Sequence, residues 1–143
     1  MKLPADEARA RFSAAPVARL ATVGQAGQPH IVPVTFAVDG DLVYTAVDGK
    51  PKRGPRLQRL RNILANPHVA LLTDYYDADW DRLWWVRADG LATIQERPAE
   101  VAGLPGLLAG RYPQYRDSPP AGPVIRVAVR RWSGWAAAPA AAP

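Results

Sequence analysis

The sequence has no cysteine. That excludes disulfide bridges and thiolate metal sites, and it suits a reducing compartment without requiring one. No apolar run approaches the length needed to cross a bilayer, and Met1-Lys2-Leu3-Pro4 leads directly into charged residues instead of a signal-peptide core. A cytoplasmic protein with no membrane partner is therefore the expectation. Histidine is almost absent: His30 and His68 stand alone, with no nucleophile or metal-ligand spacing around either. Both read as strand-end residues, and no metal site is expected. Lysine is scarce beside arginine, and with the abundance of alanine and proline this looks like the codon bias of a GC-rich genome.

What the chain does have is a single-domain length of 143 residues and a net charge of +5. A core of that size needs no staples. The positive charge raises the question of nucleic acid, but the bases gather in one segment between Lys50 and Arg61 and again at Arg126, Arg130 and Arg131. They do not alternate with stacking aromatics, so no nucleic-acid partner is expected, and a local cluster serves a small anion equally well.

That cluster has a telling place in the chain. The β-rich run Leu42 to Val47 ends at Asp48-Gly49, enters Lys50, Lys52, Arg53 and Arg56, and meets a helix predicted to open at Pro55. Strand, basic loop and helix N-terminus together can converge fixed cations, free backbone N–H groups and the positive end of a helix dipole on one phosphate. A cation in the first helical turn, as Arg56 would be, opposes the dipole unless an anion lies between them.

In order, Asp6 to Ser13 reads as a short helix stopped by Pro16, with Ala8 and Phe12 on one face. Val17 to Val23 is a strand, Gly24 to Pro29 a glycine-rich hairpin connection, and His30 to Val38 a second strand. Pro33 within it cannot donate to a ladder and marks an edge, a bulge or an unusual neighbour. Asp39-Gly40 is a two-residue hairpin signal. After the basic stretch, Leu57, Leu60, Ile63 and Leu64 give a helix a core stripe ending at Asn66-Pro67, with Arg59 and Arg61 on a solvated face. His68 to Asp74 is a fourth strand. Tyr75 to Arg82 is a polar, aromatic excursion, and Leu83 to Gln95 a long strand in which Gly90 points to a bulge or a close backbone approach. A weak helical region runs from Arg97 to Leu108, a surface connection from Gly110 to Pro123, and a last strand from Val124 to Trp132. The expected fold class is mainly β: a six-stranded antiparallel split β-barrel with flanking helices, one domain over residues 1–135 and a low-complexity tail over 136–143.

This order of elements resembles the split-barrel family that includes pyridoxamine 5′-phosphate oxidase and its flavin-binding relatives. Three segments carry the likeness: Pro33-Val34-Thr35-Phe36 with Asp39-Gly40, Tyr44-Thr45 followed by Lys50, Lys52 and Arg53, and Val86-Arg87-Ala88-Asp89-Gly90. The stretch from Asp74 through Tyr75, Tyr76, Trp80 and Leu83 to Arg87 is similar to an actinobacterial branch that binds coenzyme F-420, a deazaflavin. The resemblance implies that Lys50, Lys52, Arg53 and Arg56 hold the coenzyme's phosphate and, for F-420, its acidic glutamyl tail. It implies that Pro33, Val34 and Thr35 lie along the ring, and that Thr45 and Ala46 line the ring's other side. It further implies a homodimer with the coenzyme at the interface, the partner subunit supplying Trp80 and Trp85 as aromatic cover, and Arg87 orienting a substrate carbonyl or forming a seam ion pair. Trp132 and Trp135 are lesser aromatic candidates. The chain lacks the oxidase's C-terminal arginine and histidine pattern, so pyridoxamine phosphate is not the expected substrate. The activity implied is hydride transfer between the deazaflavin and a small unsaturated molecule, with no catalytic residue assigned. Tyr75, Tyr76 and Arg87 are the available proton donors or orienting groups. Two alternatives stand beside it: an FMN-binding protein of the oxidase type, and a haem- or coenzyme-binding module without turnover.

Overall fold

The structure is a computed structural model that describes residues 1–47, 57–97, 99, 101–120 and 122–138. The basic residues Lys50, Lys52, Arg53 and Arg56 lie outside the described residues. Chain order gives α1 (Ala5–Ala14), β1 (Ala18–Val23), β2 (Pro29–Val34), β3 (Ala37–Asp39), β4 (Leu42–Ala46), α2 (Gln58–Ala65) and β5 (His68–Tyr75). A 3-10 turn (Trp80–Arg82), β6 (Trp84–Gln95), α3 (Leu104–Arg111), α4 (Gln114–Asp117) and β7 (Val124–Ala136) follow.

The strands form one antiparallel sheet in the order β2-β1-β5-β6-β7-β4-β3. Seven strands replace the six expected because the segment read as one strand, His30 to Val38, breaks at Thr35-Phe36 into β2 and β3. The two halves take up opposite ends of the sheet, so the chain itself spans the split of the barrel. Pro33 sits on the terminal strand β2, opposite Arg19 of β1, where a missing N–H costs no ladder bond to an outer neighbour. The bulge expected at Gly90 is present. Asp89 faces Arg131 and Gly90 faces Val129, so Arg130 is the extra residue.

The main core fills the barrel with Leu20, Phe36, Val43, Leu71, Val86, Ile125 and Val127, all fully buried. One end is capped by α1, where Asp6 and Glu7 open the helix and Arg11 closes it, in keeping with the dipole. Its Ala8 and Phe12, one turn apart, are buried, and the Phe12 ring meets Phe36 at 4.8 Å and Trp132 at 5.3 Å. Burying such a phenylalanine contributes about 1.5–3 kcal/mol. A second, smaller cluster lies under α3, where Leu104 and Leu108 pack on Ala37, Tyr44 and Val124.

Four further expectations are corrected. In α2 the stripe is rotated: Leu60 and Ile63 are buried, but Leu64 is 64% exposed and Asn62 turns inward in its place. Arg59 is half-buried, and that burial pulls its guanidinium pKa below the ordinary value. The last strand continues past Trp132 to Ala136, which is buried opposite Trp84, because the alternation that ends in small residues still has a partner strand to pair with. The weak helical region resolves into α3, which starts only at Leu104 after Gly103 adopts a left-handed φ of 78°.

Candidate functional site

Strand alternation decides which predicted residues can act together. Directly opposite residues of an antiparallel pair share a face. On the outer face of the sheet, Pro33, Arg19, Leu72 and Arg87 form one row across β2, β1, β5 and β6. Ile31, Ala21, Ala70 and Asp89 form the next. Asp74 and Trp85 are opposed beyond them, and Trp85 is opposed in turn to Trp135 of β7. The result is a groove of about 460 Å³ with an apolar floor, flanked by the guanidinium groups of Arg19 and Arg87 and by the rings of Tyr76 and Trp85. Ile31 in it is 65% exposed, an unusual state for isoleucine.

The structure therefore brings Pro33, Trp85 and Arg87 onto one surface. Arg87 is not idle there: its Nε donates to Asp89 Oδ2 at 2.8 Å along the same strand face. Trp80 sits apart on the 3-10 turn and is 75% exposed. That turn is held by an aspartate ladder, in which Asp79 N–H donates to Asp77 and Asp81 N–H donates to Asp79.

Val34 points into the main core. Thr45 is buried, whereas its neighbour Ala46 packs toward the cluster under α3. Consecutive strand residues take opposite faces, so these two do not line one surface.

Thr35 has the most developed surroundings. Its Oγ1 shares a hydrogen bond of 3.1 Å with Tyr115 Oη of α4. Next to it, Tyr112 Oη accepts from the Phe36 N–H at 2.9 Å and faces the Phe36 carbonyl at 2.9 Å and the Pro16 carbonyl at 3.2 Å. Arg111 stands over the Phe36 ring at 4.7 Å, donates to Tyr112 Oη, and donates to the carbonyls of Ser13 and Ala15. A helical hairpin thus clamps the kink at which β2 becomes β3. Arg111, Tyr112 and Tyr115 were missed by the sequence reading, which took this segment for a surface connection. Their spacing, two adjacent residues and one a turn later, was the available signal. Arg19, between buried Ala18 and Leu20, was likewise legible from alternation alone.

A groove with a flat apolar floor, flanking guanidiniums and an indole suits a planar ring with an anionic edge. Among the described residues no group of His, Asp and Glu could hold a metal ion, and no helix is long and apolar enough to cross a membrane.

The family profile described as pyridoxamine 5′-phosphate oxidase matches residues 4–136. A stretch of 56 residues is 39% identical to the 5a,11a-dehydrotetracycline/5a,11a-dehydrooxytetracycline reductase of Streptomyces rimosus, covering 39% of this chain and 38% of that protein. The match thus spans well under half the relative's length. Among solved structures, a conserved hypothetical protein of Mycobacterium tuberculosis aligns with a TM-score of 0.74 at 23% identity, over 94% of this chain and 86% of that one. An FAD-binding protein of Mesorhizobium loti aligns at 0.72 and 19% identity, over 94% and 95%. Both agree on the split-barrel fold, and at these identities they bear on the fold alone.

Proposed function

The chain belongs to the pyridoxamine 5′-phosphate oxidase family, and from that premise we propose that it is an oxidoreductase that transfers a hydride between coenzyme F-420 and a small unsaturated organic substrate. The observation that carries the reading is the 39% identity to a protein named as a reductase of dehydro compounds. The deazaflavin, when bound, supplies the hydride-carrying ring.

The chain's own residues bind, orient and exclude water. Lys50, Lys52, Arg53 and Arg56 grip the phosphate through charge-assisted bonds. Pro33 and Thr35 border the ring, and Tyr115 fixes the rotamer of the Thr35 hydroxyl. The outer groove is covered by a second copy of the chain: an exposed Ile31 on an apolar floor is a surface that gains from burial. Trp80 and Trp85 of that copy shield the ring, and Arg87, held by Asp89, polarises the substrate's carbonyl.

The test is direct. Purified protein is titrated with F-420 and with FMN, its mass in solution is measured, and reduced coenzyme is offered with enones and quinones. Preferential F-420 binding, a dimeric mass and oxidation of the coenzyme in the presence of substrate are expected. Preference for FMN, or binding of neither, would falsify the assignment. Tight binding with no turnover of any acceptor would identify a carrier instead.

A further inference from the structure

The hairpin of α3 and α4 stands apart from the barrel it covers. Its apolar contacts form the smaller cluster, Leu104 and Leu108 on Ala37, Tyr44 and Val124, and none of these five residues belongs to the main core. α3 has only eight residues, two of them Gly106 and Gly110. Glycine weakens a helix interior, and an isolated helix needs roughly 12–15 residues to hold in water. α3 is therefore helical because it is docked. Docking and helix formation are one event, so undocking releases the hairpin as a unit.

Both ends of the segment permit that release. It starts at Gly103, whose left-handed φ of 78° gives a pivot free of side-chain strain. It ends in Ser118-Pro119-Pro120, which cannot prolong α4. At the pivot the fold leaves a cavity of about 220 Å³, between Asp39 and Tyr44 on the sheet and Ala102, Gly103 and Leu107 above them. Packing there is incomplete, and the first turn of α3 has room to rock.

The far end is latched, by polar bonds that converge on one place. Arg111 donates to the carbonyls of Ser13 and Ala15, at the negative end of α1. Tyr112 Oη accepts the Phe36 N–H at 2.9 Å, and Tyr115 Oη meets Thr35 Oγ1 at 3.1 Å. These bonds tie the hairpin to the end of α1 and to the two residues that join β2 to β3. Opening the latch frees that joint along with the hairpin.

We propose that the α3–α4 hairpin is a strap that opens as a unit about Gly103, and that its latch couples the opening to occupancy of the surface beside Thr35. The coupling rests on the reading given above, in which Thr35 borders the coenzyme ring; the opening does not. A coenzyme that needs the joint in place binds only the closed form and holds the strap shut.

Native-state hydrogen exchange on the full chain tests both parts. The reporters are the amides of Leu107 and Tyr112, bonded to the carbonyls of Gly103 and Leu108, and the amide of Phe36, bonded to Tyr112 Oη. The three are expected to exchange through one common opening, faster than the amides of β6. Val86→Ala thins the main core and touches none of the strap's contacts. It should speed exchange in β6 by about tenfold and leave the three reporters unchanged. Tyr115→Phe removes one latch bond and should speed all three reporters by a common factor of about five. With F-420 at about a hundred times its Kd, the three should slow by about a hundredfold. Reporters that exchange at the β6 rate, a Val86→Ala effect shared equally by strap and sheet, or reporters unmoved by Tyr115→Phe overturn the strap. Coenzyme that binds and slows none of them overturns the coupling. Binding of neither F-420 nor FMN removes the redox reading and the coupling with it, while the two variants still decide the strap.

Discussion

Tyr112 serves Phe36 as a missing strand would: one phenolic oxygen accepts the Phe36 N–H and lies within hydrogen-bond distance of its carbonyl, each at 2.9 Å. The ladder lapses at this kink, and two backbone groups would otherwise be left without partners in a partly buried place. Tyr112→Phe removes the oxygen and keeps the ring. Because an unsatisfied buried polar group costs about 1–3 kcal/mol, a loss of that order is expected in chemical denaturation, with the sheet otherwise intact.

The glycines separate into positions that need the absence of a side chain and positions that do not. At Gly90 a Cβ would stand 2.4 Å from the Ala128 carbonyl oxygen and 2.9 Å from Val127 Cγ1, both across the bulge. Gly90→Ala is expected to cost about 2–4 kcal/mol, since rigid backbone must move. Gly106 lies inside α3 with nothing within 4 Å of an added Cβ. Gly106→Ala should stabilise the chain by about 0.5–1 kcal/mol. Paired melting curves check both signs.

The turn that carries Trp80 is sensitive to pH from both sides. Tyr75 Oη donates to Asp77 Oδ2 at 2.8 Å, and Arg82 stands 3.2 Å from the same oxygen. The bond from Tyr75 holds Asp77 below its ordinary 3.8, with the Asp79 N–H and Arg82 adding to it. A depressed carboxyl contributes order above 3.8 and loses it as pH falls through the lowered value. The same bond holds Tyr75 above its ordinary 10.0, so its contribution is present below 10.0 and is lost as pH rises through the raised value. Asp77→Asn should bring the Tyr75 titration down toward 10.0 in an absorbance titration. An unmoved Tyr75 would disprove the coupling.

On the proposed coenzyme grip, Lys52→Ala with Arg53→Ala should weaken F-420 binding by about 2–4 kcal/mol. Each charge-assisted bond contributes about 1.5–3 kcal/mol and neighbouring cations recover part of it. Fluorescence titration of the double variant against the parent measures the difference. Equal affinities would show that the phosphate is held elsewhere.

Local signals in the sequence were enough to locate most strands and the Gly90 bulge, because alternation, proline and glycine act over a few residues. Pro33 pointed to an edge, a bulge or an unusual neighbour for the same reason, because its missing N–H matters wherever it is placed, and the structure puts it on an edge strand. The break at Thr35-Phe36 was not legible, since it depends on Tyr112, 76 residues beyond Phe36, taking over the backbone bonds. Nor was the inward turn of Asn62, which reads as a poor core residue until Thr22 and Gln58 are seen to satisfy it. The likeness to a known family put Thr45 and Ala46 on one side of the ring. In β4 the two are consecutive, so their side chains take opposite faces.

The sheet begins with β2 and ends with β3, and only Thr35 and Phe36 join the two. Neither rim can therefore slip on its own. A one-residue shift of β2 against β1 would have to be repaid by β3 against β4, at the far end of the seven-stranded ladder, and would turn Val34 out of the barrel as it went. Alignment at either margin is a single shared constraint, and the margins most exposed to pairing with a stranger are the ones least able to move toward it.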